Sequence, residues 1–117
     1  MIIERSSNKI YIYRQNIDMR KGHNGLSFLV THSMRLDLLS GAVFLFISKD
    51  RKAAKALVWD GTGLVLFHKK LEEGKFMCFD KLDEIQEISG LELALILEGS
   101  HITIPFSKKK TSFKLKV

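Results

Sequence analysis

The stretch that decides the fold runs from Ala42 to Lys70, AVFLFISKDRKAAKALVWDGTGLVLFHKK. Val43 to Ile47 (VFLFI) is a strongly apolar run of strand length. Such a run, without polar alternation, suits a strand covered on both faces. Lys49 to Lys52 (KDRK) makes a polar, basic turn. Ala56 to Trp59 forms the next strand, Asp60-Gly61 is a tight-turn dipeptide, and Leu64 to Phe67 returns. Glu72-Glu73-Gly74 turns again, and Lys75 to Phe79 reads as a fourth pass. These passes predict an antiparallel meander.

Working outward, Lys9 to Tyr13 (KIYIY) alternates and reads as a strand. Asp18 is placed to cap a helix from about Met19 to Ser33. Gly22, Leu26, Leu29, Val30 and Ser33 would form its narrow small-and-apolar face. Gly22 and Gly25 cost such a helix roughly 1 kcal/mol each against Ala, so either a neighbouring backbone comes close or the helix starts late. On the other side, Ser89-Gly90-Leu91-Glu92 matches a capping box, with Ile88 and Leu93 at the staple positions. Leu93, Ile96 and Leu97 supply the buried stripe of this second helix, and Gly99 is its left-handed stop. His101 to Phe106 and Ser112 to Val117 read as short strands around the lysine run 108–110. The fold class expected is α+β, a small antiparallel β-meander sheet packed with two α-helices. The 117 residues suffice for one domain and one core, so residues 1–117 are taken as a single domain with a basic tail at 107–117.

Charge is the first functional clue. The chain carries 19 Lys and Arg against 13 Asp and Glu, a formal net of +6. Residues 80–98 hold six carboxylates against Lys81 alone, a local net of −5. The rest holds 18 basic and 7 acidic residues, a net of +11. A basic body with one acidic segment suits a polyanion on one surface and a protein partner on another. The plainer account is a lysine-rich surface that keeps a small domain soluble. A single cysteine, Cys78, fits a reducing compartment. No signal peptide and no membrane-length apolar run are visible, so a cytoplasmic protein without a membrane partner is expected.

Catalytic patterns are poor. His23, His32, His68 and His101 have no short metal-ligand spacing, and Cys78 has no partner cysteine. Neither a Walker-type phosphate loop nor a dinucleotide fingerprint occurs. A two-metal nuclease would need converging carboxylates, with Asp18, Asp37 and Asp60 as candidates. Each has a structural task as cap or turn residue. No catalytic residue, metal ligand or cofactor is therefore assigned. Basic groups are more suggestive. Arg20, Lys21, Lys49, Arg51, Lys52, Lys55, Lys69 and Lys70 form separated clusters that a compact fold could gather for phosphate contacts. Phe44, Phe46, Trp59, Phe67 and Phe76 could form a base-stacking face, but apolar continuity favours burial.

The motifs go further than composition. Asp18 to Leu26, DMRKGHNGL, resembles a signature near the start of the Orf2-type accessory protein of the insertion sequence 66 family. The resemblance continues through Ser40 to Phe46 (SGAVFLF), Lys55 to Gly63 (KALVWDGTG), Lys69 to Phe76 (KKLEEGKF) and Leu91 to Gly99. It is strongest over residues 9–99, with Asp18, Met19, Gly22, Gly25, Trp59, Asp60 and Gly61 as motif positions. His23 and Asn24 depart from the usual large apolar residue and Asp, and Cys78-Phe79 replaces a typical Trp-Pro. The tail carries a Lys run where that family often shows Trp and Arg. The resemblance implies a role in transposition beside a separate transposase and a second accessory protein of the same element.

The function expected is a non-catalytic, DNA-associated assembly factor for an insertion sequence, with element-end DNA as partner. On this reading Trp59, Asp60 and Gly61 fix the hairpin that presents the basic loop. The alternative is a pure protein adaptor that meets a basic partner through residues 80–98; a metal-dependent nuclease is the third.

Overall fold

A computed structural model describes residues 9–76 and 85–99. Five strands form one mixed sheet, in the order β4-β3-β2-β1-β5. They are β1 (Ile10–Ile17), β2 (Val43–Ser48), β3 (Ala53–Trp59), β4 (Leu64–Lys70) and β5 (Ile85–Ile88). The expected meander is β2-β3-β4, antiparallel throughout. β1 adds to it in parallel with β2, so the sheet is mixed rather than wholly antiparallel. β5 closes the other edge, antiparallel to β1. It was not foreseen, because IQEI is short and lacks clear alternation.

Parallel neighbours need a crossover. Here the crossover is α1 (His23–Phe28), a wider π-type turn over Leu29–Ser33, and a 3-10 turn at Leu38–Ser40. It buries Leu26, Val30 and Met34 against Tyr13, Phe44, Phe46 and Leu57 on one face of the sheet. Ser33, expected on that face, is exposed. The opposite face is covered by α2 (Gly90–Glu98) and by Phe76, which pack Ile96 against Ile12, Leu45, Ala54 and Ile88. The VFLFI run is therefore buried on both sides, with Phe44, Leu45 and Phe46 wholly removed from solvent. Each such side chain contributes roughly 1.5–3 kcal/mol. Tyr11 stacks on Phe44 and Tyr13 meets Phe46 edge-on, each at 6.0 Å between centroids. The aromatic strand residues are thus core, with three exceptions: Tyr11 and Trp59 are half-buried and Phe67 is 41% exposed on the edge strand.

The first helix is shorter than expected. It begins at His23 rather than Met19, and its cap is Gly22 in an extended conformation, without a side-chain bond. Asp18 instead closes a local turn. The amide of Arg20 donates to its carboxylate at 2.8 Å, and the amide of Lys21 donates to its carbonyl at 3.0 Å. The carbonyls of Met19 and Lys21, which helical amides four residues on would otherwise use, accept from the Lys55 ammonium. A late start also removes the cost of Gly22 inside a helix.

The second helix follows its signals closely. Ser89 Oγ accepts from the Glu92 amide at 3.1 Å, and Glu92 Oε1 accepts from the Ser89 amide at 2.8 Å. Gly99 ends it at φ +78, and a Cβ there would sit 2.9 Å from the Leu71 side chain. Among the described residues no helix is long and apolar enough to cross a membrane. The fourth pass beyond Phe76, the acidic residues 80–84, Cys78, His101, the two late strands and the basic tail lie outside the described residues. Ser89→Ala removes one half of the capping box and is expected to lower stability by about 1 kcal/mol in urea denaturation. Ser89→Asp, which keeps a cap acceptor, should recover most of that loss.

Candidate nucleic-acid interface

Parallel pairing of β1 with β2 brings their C-terminal ends together, with Ile17 opposite Ser48. The β2–β3 turn lies at that same end, and so does the end of β4, where Lys70 pairs with Ala53 and Lys69 with Ala54. One end of the sheet thus collects Arg20 and Lys21 after β1, Lys49, Arg51 and Lys52 in the turn, and Lys69 and Lys70 on β4. Three strand steps of about 4.8 Å separate the β4 and β1 flanks, a width of roughly 14 Å. Among the described residues the carboxylates of this end are Asp18, Asp50, Glu72, Glu73 and Glu98, fewer than the described cations there. Lys9 sits at the far end of β1 beside Glu87, and Arg35 follows the helical crossover.

The turn is locked from inside. Ser48 Oγ donates to Asp50 Oδ1 at 2.7 Å and accepts from the Ala53 amide at 3.0 Å. Asp50 Oδ1 also accepts from the Lys52 amide, and the Arg51 amide donates to Ser48 O. These donors hold the Asp50 carboxyl below its ordinary range, Ser48 first and the Lys52 amide second. From the other side the Leu71 amide donates to Lys52 O and the Phe76 amide to Arg51 O, at 2.9 and 2.7 Å. Arg51 is left-handed at φ +62, a conformation costing an L-residue roughly 1–2 kcal/mol.

The cations divide by what they touch. Lys55 points to the crossover face, is only 7% exposed, and donates to Met19 O at 2.8 Å and Lys21 O at 2.7 Å. It anchors the DMRKG loop to the sheet and is buried away from any phosphate. Lys69 reaches to the other face, where its ammonium caps α2 through Leu97 O at 2.7 Å. Arg20 grips Asp18 with two nitrogens, Nη2 lying 2.6 Å from Oδ2. That hydrogen-bonded pairing draws the Asp18 carboxyl down to about 2. The side-chain nitrogens of Lys21, Lys49, Arg51, Lys52 and Lys70 have no hydrogen-bond or ion-pair partner among the described residues.

Two residues of this end were missed by sequence reading. Lys75, assigned to a strand, is brought beside Arg51 by the Phe76 amide bond. His68 pairs across from Lys55; desolvation, then the charges of Lys55 and Lys70, lower its pKa. Only strand pairing could have revealed either, since neither lies in a basic run.

Other candidates are placed apart. Gly22 is the helix cap, and Gly25 carries the Lys21 side chain against its backbone at 3.1 Å from a Cβ position. Trp59, Asp60 and Gly61 build the β3–β4 turn at the opposite end of the sheet, so they set β3–β4 register and do not present the basic loop. There Asp60 Oδ1 accepts from the Thr62 and Gly63 amides, and Gly61 takes φ +111. Asp37 caps its own turn through the Leu39 amide at that end as well. Asp18 therefore does not converge with Asp37 or Asp60. Among the described residues no group of three or more His, Cys, Asp or Glu side chains is placed to hold a metal.

Comparison with known proteins identifies the lineage. The family model described as IS66 Orf2 like protein matches residues 8–106. An uncharacterized Sinorhizobium fredii protein, y4jC, is 34% identical over 91 residues, 78% of this chain and 78% of its own length. A second from that strain, y4hO, is 30% identical over 91 residues, 78% of this chain and 79% of its own. No solved structure matches. The chain belongs to the IS66 Orf2-like family, whose role is accessory to transposition.

The Asp18 pair gives a pH signature. The folded carboxyl sits at about 2 against an ordinary 3.8, so its contribution is complete above pH 3.8 and is lost as pH falls through about 2. Asp18→Asn should be less stable than the parent at pH 6, and the gap should close towards pH 2 in thermal melts. Lys55→Met is expected to cost about 1–3 kcal/mol, by stranding two carbonyls, and to speed amide exchange in residues 18–22.

Proposed function

We propose that this protein is a non-catalytic accessory factor that carries duplex DNA on the basic end of its sheet while a separate transposase performs the chemistry. The observation behind this reading is the gathering of Lys21, Lys49, Arg51, Lys52, Lys70 and Lys75 at one end, on the end of β4, a locked turn and the neighbouring loops. Ammonium and guanidinium groups held without internal partners are suited to phosphate, and releasing counterions from DNA would drive the binding. The roughly 14 Å width between the β4 and β1 flanks compares with a major groove about 12 Å wide. Lys70 on β4 would then meet one phosphate rim beside the β2–β3 turn. Lys55 and Lys69 stay out of this contact set, because their ammonium groups serve the fold. The opposite end, with Asp37, Asp60 and exposed Leu39, would meet the protein partners of the same element.

Fluorescence anisotropy of the full chain, titrated against an element-terminus duplex and a scrambled duplex, tests the reading. Binding at low salt should weaken with a logarithmic slope of about −0.9 per phosphate contacted. Changing Lys21, Lys49, Lys52 and Lys70 together to Ala should flatten that slope by about 3–4. No binding of either duplex at low salt would overturn it in favour of a protein adaptor without DNA affinity of its own.

A further inference from the structure

Within that DNA reading, on which this step rests, we infer that Arg51 reads base edges in the groove and is a specificity-determining residue. Its place is the first reason. Arg51 sits in the central turn of the basic end, between Lys49 and Lys52, with β4 on one flank and β1 on the other. β2 and β3 lie between β1 and β4, so it is their turn, rather than the whole sheet end, that is narrow enough for a major groove about 12 Å wide. With the flanking lysines on phosphate, the turn is the part that reaches the bases.

Rigidity is the second reason. The Arg51 amide is held by Ser48 O and its carbonyl by the Phe76 amide, and Phe76 is wholly buried in the core. The neighbouring amides of Lys52 and Ala53 are held by Asp50 and Ser48. A phosphate contact tolerates a loose tether, but two parallel hydrogen bonds to one base need a fixed origin.

The third reason is the side chain itself. At φ +62 glycine would fit without strain, yet an arginine stands there. Arg51 is half-buried, and its guanidinium has no hydrogen-bond or ion-pair partner among the described residues. A planar fork matches the O6 and N7 acceptors of guanine, which a lysine ammonium does not. Arg35 shares the left-handed conformation at φ 56, but it follows the helical crossover, away from the basic turn. Strain alone therefore does not make the assignment; strain at the centre of the basic end does.

The test is selection from a duplex library with a randomised central segment, using the full chain and two variants. The parent should enrich a motif with a guanine at one or more positions. Arg51→Lys should bind the unselected pool within about two-fold at low salt with an unchanged salt slope, because its charge is kept. At one guanine position it should lose discrimination on the order of ten-fold. Arg51→Gly should melt no lower than the parent and yet lose both the preference and one unit of charge-dependent binding. An unenriched parent pool, or the same motif selected by Arg51→Lys, would overturn the assignment while leaving DNA binding intact. Failure of the parent to bind any library duplex would instead overturn the DNA reading and this assignment with it.

Discussion

A strand that is apolar on both faces is the constraint from which the rest of this structure follows. Phe44 and Phe46 point one way and Leu45 the other, and all three are wholly buried. Neither face can be left to water, so one cover is needed on each side. The chain before β2 supplies one, and α2 with Phe76 supplies the other. A helical cover placed between β1 and β2 makes those strands parallel. That parallel pairing sets the loop after β1 beside the turn after β2. The basic end is a topological consequence of how the central strand is covered.

The same logic explains why a lysine is buried. Lys55 pairs with Phe46 across the sheet and faces the crossover, where an apolar residue would be expected. An unpaired buried ammonium is costly, and here two carbonyls satisfy it. Those carbonyls belong to the loop that would otherwise extend α1 backwards. One side chain therefore delays the helix and holds Arg20 and Lys21 at the sheet end. Sequence reading grouped Lys55 with its basic neighbours because adjacency in a run says nothing about face. In β3 the alternation places Lys55 inward on the crossover side, and only the register reveals it.

How much was legible follows from how local each signal is. The capping box is fixed by contacts within four residues and appears as read, and the helix stops at Gly99, which takes φ 78 and ψ 171 rather than the left-handed helical conformation expected. The meander was legible because turns and apolar runs alternate. The parallel β1–β2 pairing and the β5 edge were not, since both depend on partners far along the chain. Asp18 misled for a related reason. A cap and a local turn use the same carboxylate acceptor, and Lys55, from 34 residues beyond the loop, decides between them. For the basic end, the residue types were legible and their separation into exposed and structural cations was not.

The two ends of the β3 hairpins show how one local device serves different purposes. At each end a turn carboxylate, Asp50 or Asp60, accepts from amides two residues on and is held below its ordinary pKa. The turns are thus rigid for the same reason. What differs is the surrounding charge. Among the described residues the strand ends around Asp50 deliver more cations than carboxylates, and desolvation, then the charges of Lys55 and Lys70, lower the His68 pKa. Around Asp60 the described residues bring no such cluster. Each locked turn keeps its carboxylate charge, and the net charge around it depends on the neighbouring strands. Because Asp50 spends its oxygen on the turn, it stabilises the loop without forming an ion pair with Lys49, Arg51 or Lys52. An ordinary acidic residue on a basic loop would reduce its attraction for phosphate. Here that charge remains, outnumbered by the neighbouring cations among the described residues, while the same carboxylate shapes the loop.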